Sequence, residues 1–556
     1  MDSKQNVVEG VESVSAEAEL RPRVVLSDRK QPSEIKREIV QLLVDTSEAK
    51  LRRTSDAGVR AGDRVLVCRR GGFAQLQLSD EGQIELSPAA VTHILSELTD
   101  VAEWIVPKKD RKGQAYEVAG KPPKDLAEQI EANPPHTLPR IDTVVRMPVL
   151  GSAGRIYAID GHYPDDRLWV QIDSRLELPS LPIRPSAEHI NAARSLIMDE
   201  LMGDFPFAGV GEKQGPEAEK AHALCAILQP FVRPIIDGPT PAYHYDAPTI
   251  GSGKSLLSRL VNIIAEGQEP SMQGWPTSEE ERQKVIASKL IGDPKLIVFD
   301  NIPDGSTVDS SALAVALTAP IYEARILGRS VNQRLPNTCV WALTGNNIGV
   351  SQELARRVVR VRIDAEMAEP WTNREFRHEL PTWAFENRSE LVSACLVLVQ
   401  AWVAAGMPKW SGEALGTFEA WSETMGGILG VAGVPGFLGN LEDARAVADV
   451  GTSEWVEFLS TWLSTSKQGG EDAIGDKAKA KRLMQLCTDN DLLEDVRGEG
   501  GERSQITRLG LALRGQLGRV YQVESEGEGT VAVRIVRPSF DKHAKSHVFK
   551  LEEVNR

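Results

Sequence analysis

A multidomain α/β fold is predicted from three observations. The chain has 556 residues, more than one hydrophobic core normally serves. Two apolar runs, Lys295-Leu296-Ile297-Val298-Phe299 and Cys339-Val340-Trp341-Ala342-Leu343, each break into polar residues, as strands buried on both faces of a parallel sheet do. Upstream of both, the glycine-rich turn Gly251-Ser252-Gly253-Lys254-Ser255 opens directly into the helix-forming stretch Leu256-Leu257-Ser258-Arg259-Leu260-Val261.

Composition narrows the class. Apolar residues make up 41% and charged residues 26%, ordinary for a folded chain and unlike a disordered or fibrous one. The formal net charge of −15 argues against a surface that coats nucleic acid as a whole, so any DNA contact has to be local. Cys68, Cys225, Cys339, Cys395 and Cys487 are scattered, with no close pair and no histidine at metal-ligand spacing, which favours a reducing, cytoplasmic setting over a disulfide or zinc scaffold. No apolar run approaches the roughly 20 residues that cross a bilayer, and the start Met-Asp-Ser-Lys does not read as a signal peptide, so no membrane partner is expected.

Taken in order, residues 1–32 are polar, acidic and free of aromatics, and read as a disordered lead-in. Residues 33–120 carry helical stretches around the alternating segments Arg64-Val65-Leu66-Val67-Cys68 and Phe73-Ala74-Gln75-Leu76, predicting a small α+β domain. Residues 121–185, punctuated by Pro122-Pro123, Pro134-Pro135, Pro139 and Pro148, read as a connector with short strands. Residues 186–238 supply two amphipathic helices that lead into an α/β core at 239–365. Helices at 366–440 follow, with Trp383, Trp402, Trp410 and Trp421 expected mainly as packing residues. Residues 441–475 give a helix and a glycine-rich hinge at Gly469-Gly470 to Gly475, and 476–556 read as helix, helix and a two-strand ribbon.

The chemistry concentrates in the core. A glycine-rich turn at a helix N-terminus offers backbone N–H groups and the positive end of the helix dipole to a polyphosphate; Lys254 can reach β/γ oxygens and Ser255 can hold Mg²⁺. Residues Gly251, Ser252, Gly253, Lys254 and Ser255 are therefore the expected ATP-binding loop, with Pro248 standing where a first glycine is usual. The run Lys295-Leu296-Ile297-Val298-Phe299 ends in Asp300-Asn301, placing a carboxylate where it could meet the metal held by Ser255. Position 301 is not a carboxylate, so a water-activating base must come from elsewhere; Glu280 and Glu281 are candidates, the competing reading being a solvated acidic helix face. The run Cys339-Val340-Trp341-Ala342-Leu343 ends in Thr344-Gly345-Asn346-Asn347, where Asn346 or Asn347 would orient attacking water. Arg356 or Arg357, in Leu354-Ala355-Arg356-Arg357, could serve as an arginine finger for a neighbouring subunit, with Arg325 and Arg329 as weaker alternatives.

This order of loop, acid, amide and arginine resembles AAA+ ATPases, and more narrowly the replicative helicase modules of phages, plasmids and integrative elements, akin to the ATPase half of primase-helicase proteins. The resemblance covers about Pro239 to Val431, including Pro370-Trp371-Thr372-Asn373-Arg374-Glu375-Phe376 and Phe418-Glu419-Ala420-Trp421 in the expected helical lid. It implies an AAA+ core using ATP and Mg²⁺, the metal, water-orienting and finger roles falling on Asp300, on Asn346 or Asn347, and on Arg356 or Arg357. It further implies a homo-oligomeric ring, expected to be hexameric, acting on single-stranded or forked DNA, with other replication proteins as possible partners; an ATP-switched loader or regulator is the alternative. No zinc-binding primase motif is visible upstream. The C-terminal segment resembles a winged helix: Ile506, Leu509 and Leu513 share an apolar face of Ser504–Arg514 while Gln505, Arg508 and Arg514 point outward. The tail adds Arg534, Arg537, Lys542, Lys545 and Lys550 as a local basic patch.

Overall fold

The apolar runs form the inner strands of a five-stranded sheet. In the computed structural model the strand order is Met272–Gly274, Leu296–Ile302, Val340–Asn346, Ala242–Ala247, Val358–Arg362, and every neighbouring pair is parallel. The structure describes residues 21–26, 32–57, 64–70, 72–80, 82–209, 215–325, 332–367, 369–370, 372, 376–441, 450–468, 477–498, 500–517, 520–525, 529–536, 540–541 and 546–553. The chain divides into two compact units, residues 1–348 with 356–440, and residues 349–355 with 441–556.

Sheet order decides what can meet. The strand that leads into the glycine-rich turn (loop strand, Ala242–Ala247) lies beside the strand ending in Asn346 (amide strand, Val340–Asn346), and the strand carrying Asp300 (acid strand, Leu296–Ile302) flanks the amide strand on its other side. All three run the same way, so their polar C-terminal ends gather on one edge, where open α/β sheets bind ligands. Their middles are dry: Tyr243, Val298, Phe299, Trp341 and Leu343 are buried. Helix Glu217–Val232, expected to be amphipathic, has 14 of its 16 residues buried, polar Glu219, His222 and Gln229 among them, so it is a core helix covered on nearly every face.

Helices Arg388–Ala404 and Glu419–Ala432 pack against each other and against this core. Trp402 and Trp421 are buried and Trp383 and Trp410 half-buried, the Trp421 indole donating to Gln229 Oε1 at 3.0 Å. Of the lid motif Pro370–Phe376, residues 371 and 373–375 lie outside the described residues.

The N-terminal module departs from expectation twice. Within the stretch read as a lead-in, Arg23–Val25 forms a strand parallel to Glu103–Lys109; Val24 is buried, and Arg23 pairs with Glu117 at 2.5 Å. Within the stretch read as a connector, Lys124–Ala132 is a helix that follows two prolines and buries Leu126, Ala127 and Ile130. The prolines suggested loop, but they precede the helix, where a missing N–H costs nothing. The alternating segments form an antiparallel sheet of Arg64–Arg69, Gly72–Leu78 and Ile84–Pro88. It is covered on both faces: Leu66 and Cys68 enter one apolar cluster, Val65 and Val67 another. The module is pinned to the core by a buried network in which Arg69 reaches Asp293 at 2.8 Å and Thr143 Oγ1 donates to Asp293 Oδ2 at 2.6 Å.

In the second unit, helix Val450–Gln468 is followed by Lys477–Lys479, helices Ala480–Asp489, Glu494–Arg497 and Glu502–Gly515, and strands Val520–Ser525, Gly529–Val536 and Ser546–Glu553. The glycine-rich hinge lies outside the described residues. No helix among the described residues is long and apolar enough to cross a membrane.

Candidate functional site

The glycine-rich turn is shaped by its backbone. Gly251 and Gly253 have φ of +72° and +106°, a region that L side chains rarely enter, and a Cβ on Gly253 would stand 3.0 Å from the Phe205 ring. Ser252 is buried and its hydroxyl donates to Thr249 O at 2.6 Å, fastening the turn from inside. Helix Lys254–Glu266 then starts, so its first unpaired N–H groups and positive dipole end open at the C-terminal edge of the sheet.

Four predicted residues meet there. Lys254 Nζ donates to Asn346 Oδ1 at 2.6 Å and to Thr249 O at 3.2 Å, bridging the turn and the amide strand. Ser255 Oγ donates to Asp300 Oδ1 at 2.6 Å, bridging the helix and the acid strand. Burial pulls the Lys254 ammonium below the ordinary lysine range, while Asp246, Asp300 and Asp304 push back. A cation desolvated beneath an N–H-rich turn, beside a hydroxyl–carboxylate pair, suits a phosphate ester with a divalent counterion.

The acid strand ends in an irregularity that aims its polar residues. Its pairing with the amide strand shifts register between Phe299 and Ile302, and Asn301 has φ of +54°. Such bulges re-aim side chains next to sites. Thr344, fully buried, holds both residues: its hydroxyl donates to Asp300 Oδ1 and accepts the Asn301 N–H at 3.2 Å. The Asn301 side chain is exposed. Asn347, with φ of +46°, donates from Nδ2 to Pro248 O at 3.2 Å, so it braces the entrance of the turn.

The remaining candidates make none of these contacts. Glu281 lies on helix Glu279–Ile291, paired with Lys284 at 2.8 Å; Glu280 pairs with the same lysine at 2.9 Å. Arg356 is exposed and Arg357 half-buried, the Arg357 carbonyl accepting the N–H of Ala242 at 3.0 Å. Arg329 and the side chain of Arg325 lie outside the described residues.

Two residues that the sequence did not single out complete the cluster. Thr344 is one. The other is Asp246, buried near the end of the loop strand, which accepts from Arg360 Nη2 at 3.2 Å, from Arg362 Nη1, and from the N–H of Ile348 at 3.2 Å. It thereby ties the residue after Asn346-Asn347 to the outermost strand. A carboxylate closing an apolar strand, with arginines alternating in Val358–Arg362, was the available signal.

For Mg²⁺ the donor set fits: Ser255 and Asp300 offer a hydroxyl and a carboxylate oxygen 2.6 Å apart, and this small cation keeps several waters and is held by one or two carboxylates plus phosphates.

In the second unit, Leu509 and Leu513 are buried and Ile506 packs against the same core, while Arg508 and Arg514 are exposed. Gln505 turns back to donate to Gly498 O at 2.9 Å. The basic tail needs correction: Arg534 pairs with Glu552 at 2.8 Å and Lys550 with the same carboxylate at 3.5 Å, because strand Gly529–Val536 lies antiparallel to Ser546–Glu553. Arg537, Lys542 and Lys545 lie outside the described residues.

No family model matches the chain, and no curated protein matches it. Among solved structures it overlaps the apo C-terminal region of NrS-1 at 11% identity, covering 79% of this chain and 97% of that one with a TM-score of 0.35. A second apo structure of that region overlaps at 12% identity, covering 84% and 100%, with a TM-score of 0.31. A JCV helicase with a bound thiazolopyridine compound overlaps at 13% identity, covering 50% and 71%, with a TM-score of 0.19. Overlaps of this size carry no residue correspondence.

Proposed function

We propose that the chain is an ATP-hydrolysing motor acting on DNA, of the AAA+ replicative helicase kind found in phages and other mobile elements, working as a homo-oligomeric, hexameric ring. The observation that carries this reading is the convergence of Lys254, Ser255, Asp300 and Asn346 at one edge of a parallel sheet, over a glycine-shaped turn. In this reading the turn and Lys254 cradle the β- and γ-phosphates. Ser255 and Asp300 hold Mg²⁺, which when bound offsets phosphate charge. Asn346 orients a water whose oxygen adds to the γ-phosphorus as the bond to the β–γ bridging oxygen breaks, its proton passing to a nearby carboxylate or phosphate oxygen. Asn347 supports the turn, and Asn301, exposed beside the acid, is within reach of the same water; Glu281 remains a candidate base, and Arg356 or Arg357 a finger given to the neighbouring subunit. The second unit, whose strands Lys477–Lys479, Ser546–Glu553, Gly529–Val536 and Val520–Ser525 pair in that order as one sheet and not as the expected two-strand ribbon, is a further DNA-contacting element of winged-helix kind.

A loader or regulator that uses ATP to switch partner binding is the second reading. It is favoured by the pairing of Arg534 and Lys550 with Glu552, which reduces the free positive charge of the C-terminal ribbon. The test compares wild type with Lys254→Ala for ATP turnover and for strand displacement on a forked duplex. Turnover should fall by about 10²-fold or more, the scale of losing one preorganised charge-stabilising group, with the melting curve unchanged. Turnover equal in both proteins overturns the ATPase assignment; normal turnover without displacement selects the loader.

A further inference from the structure

The N-terminal module and the core enclose a groove of about 660 Å³, within the ~300–1,000 Å³ of ordinary ligand clefts. It is lined by Lys36, Arg70, Arg140, Arg167 and Arg334, and Asp142 is the lone carboxylate among the described lining residues. In a chain where Asp and Glu number 79 against 64 Lys and Arg, this reverses the average sign. The cations come from distant parts of the sequence: a helix, the turn after Arg64–Arg69, an extended segment, the turn before Leu168–Val170, and strand Asn332–Pro336 of the hairpin formed with Ile321–Arg325.

We propose that this groove binds the phosphodiester backbone of a single nucleic-acid strand. Asp142 is already shared between Arg70 at 3.5 Å and Arg167 at 3.7 Å, and it accepts the Arg70 N–H at 3.2 Å. One carboxylate thus serves two guanidinium groups and leaves net positive charge. Arg70 is fixed by donating to Pro320 O at 2.9 Å, and Arg334 Nη1 donates to Arg70 O at 3.4 Å, so the groove wall is preorganised. The pair Arg334–Glu323, at 3.6 Å with both side chains more than half exposed, is a solvent-screened surface pair, which a phosphate displaces at little cost. Val40, Pro134 and Pro135 add apolar lining beside the polar Asn133 and His136, a mixed wall that suits the sugars between successive phosphates. The hairpin strand leads through Asn337 into the amide strand, so occupancy of the groove adjoins the element that carries Asn346. Only that last link rests on the proposed function; binding is independent of it.

The test measures binding of labelled oligo(dT) and oligo(U) of equal length, and of a duplex, to the full chain without nucleotide, across a salt series. In the double variant Arg167→Glu with Arg334→Glu, affinity for single strands should fall at least tenfold, and the log–log salt slope by about 1.4, two contacts at about 0.7 each. Arg140→Gln, an exposed rim residue, should lower it by about 0.7 and guards against misfolding of the double variant. Tighter binding of one oligomer identifies DNA or RNA as the partner. Unchanged affinity and slope in both variants overturns the site, as does a loss confined to the duplex. Failure of the motor reading looks different: strands bind, and no turnover follows.

Discussion

Lys254, Ser255, Asp300 and Asn346 could be located from sequence because each stands where an apolar run or a glycine-rich turn ends, and a parallel sheet delivers such ends to one edge. Thr344 and Asp246 could not. Their work is done across strands, to Asp300 and Asn301 in one case and to Arg360, Arg362 and Ile348 in the other, and no local pattern encodes a partner 44 or 114 residues away. Thr344 also gives a prediction. Replacing its hydroxyl with a methyl in Thr344→Val keeps the volume of a buried side chain but removes the donor to Asp300 and leaves the Asn301 N–H without its acceptor. Nucleotide affinity should stay within a few-fold, because the turn and Lys254 are untouched, while kcat drops by about tenfold, one misplaced hydrogen-bonded group corresponding to about 1.4 kcal/mol. A kcat equal to wild type would show that the hydroxyl only packs.

Among the elements, the helix that opens at the glycine-rich turn is held at its far end by a residue from another helix. Arg388 begins helix Arg388–Ala404 and is buried; its Nε donates to Ile264 O and its Nη2 to Ala265 O, each at 2.9 Å, and its Nη1 reaches Asp173 at 2.7 Å. A cation at a helix C-terminus complements the dipole whose positive end faces the proposed phosphates. Nothing in the sequence marks Arg388 among the residues of the helical stretch 366–440, since a clamp built from three chain segments leaves no periodic trace. Burial pushes the Asp173 carboxyl up, but hydrogen bonds from Arg175 and the charge of Arg388 outweigh it and hold it at about 2. That value is depressed from 3.8, so the stabilisation is complete above about pH 4 and is lost as pH falls towards 2. Arg388→Met keeps the stem and removes the charge. It should cost roughly 3 kcal/mol, as removing one partner of a buried pair does, and should move the acid-unfolding midpoint to higher pH because Asp173 then titrates closer to its ordinary range. Thermal melting at pH 7 together with an acid titration checks both, and an unchanged acid midpoint would show that Arg388 does not hold Asp173.

At the scale of the whole molecule, the loop, acid and amide cluster lies within one chain, yet Arg356 is exposed and makes none of its contacts. An exposed arginine in the turn before strand Val358–Arg362 suits service to a second copy, and a head-to-tail ring is the symmetric arrangement in which every copy both gives and receives. Mixing tests this directly. Lys254→Ala protein has no working loop but keeps its arginine, and Arg356→Ala protein has the converse defect, so each alone should be nearly inactive. In rings formed at random from equal amounts, about a quarter of interfaces pair an intact loop with an intact arginine from the neighbour, and since such an arginine is worth ~10³–10⁵ in rate, turnover in the mixture should rise far above either parent. The same mixing with Arg357→Ala identifies which of the adjacent arginines is given. Dilution below the assembly concentration should abolish the gain, because complementation needs contact between copies. If mass measurement shows mixed rings and turnover stays at the level of the parents for both arginines, the finger lies elsewhere in the chain and the ring reading loses its catalytic basis.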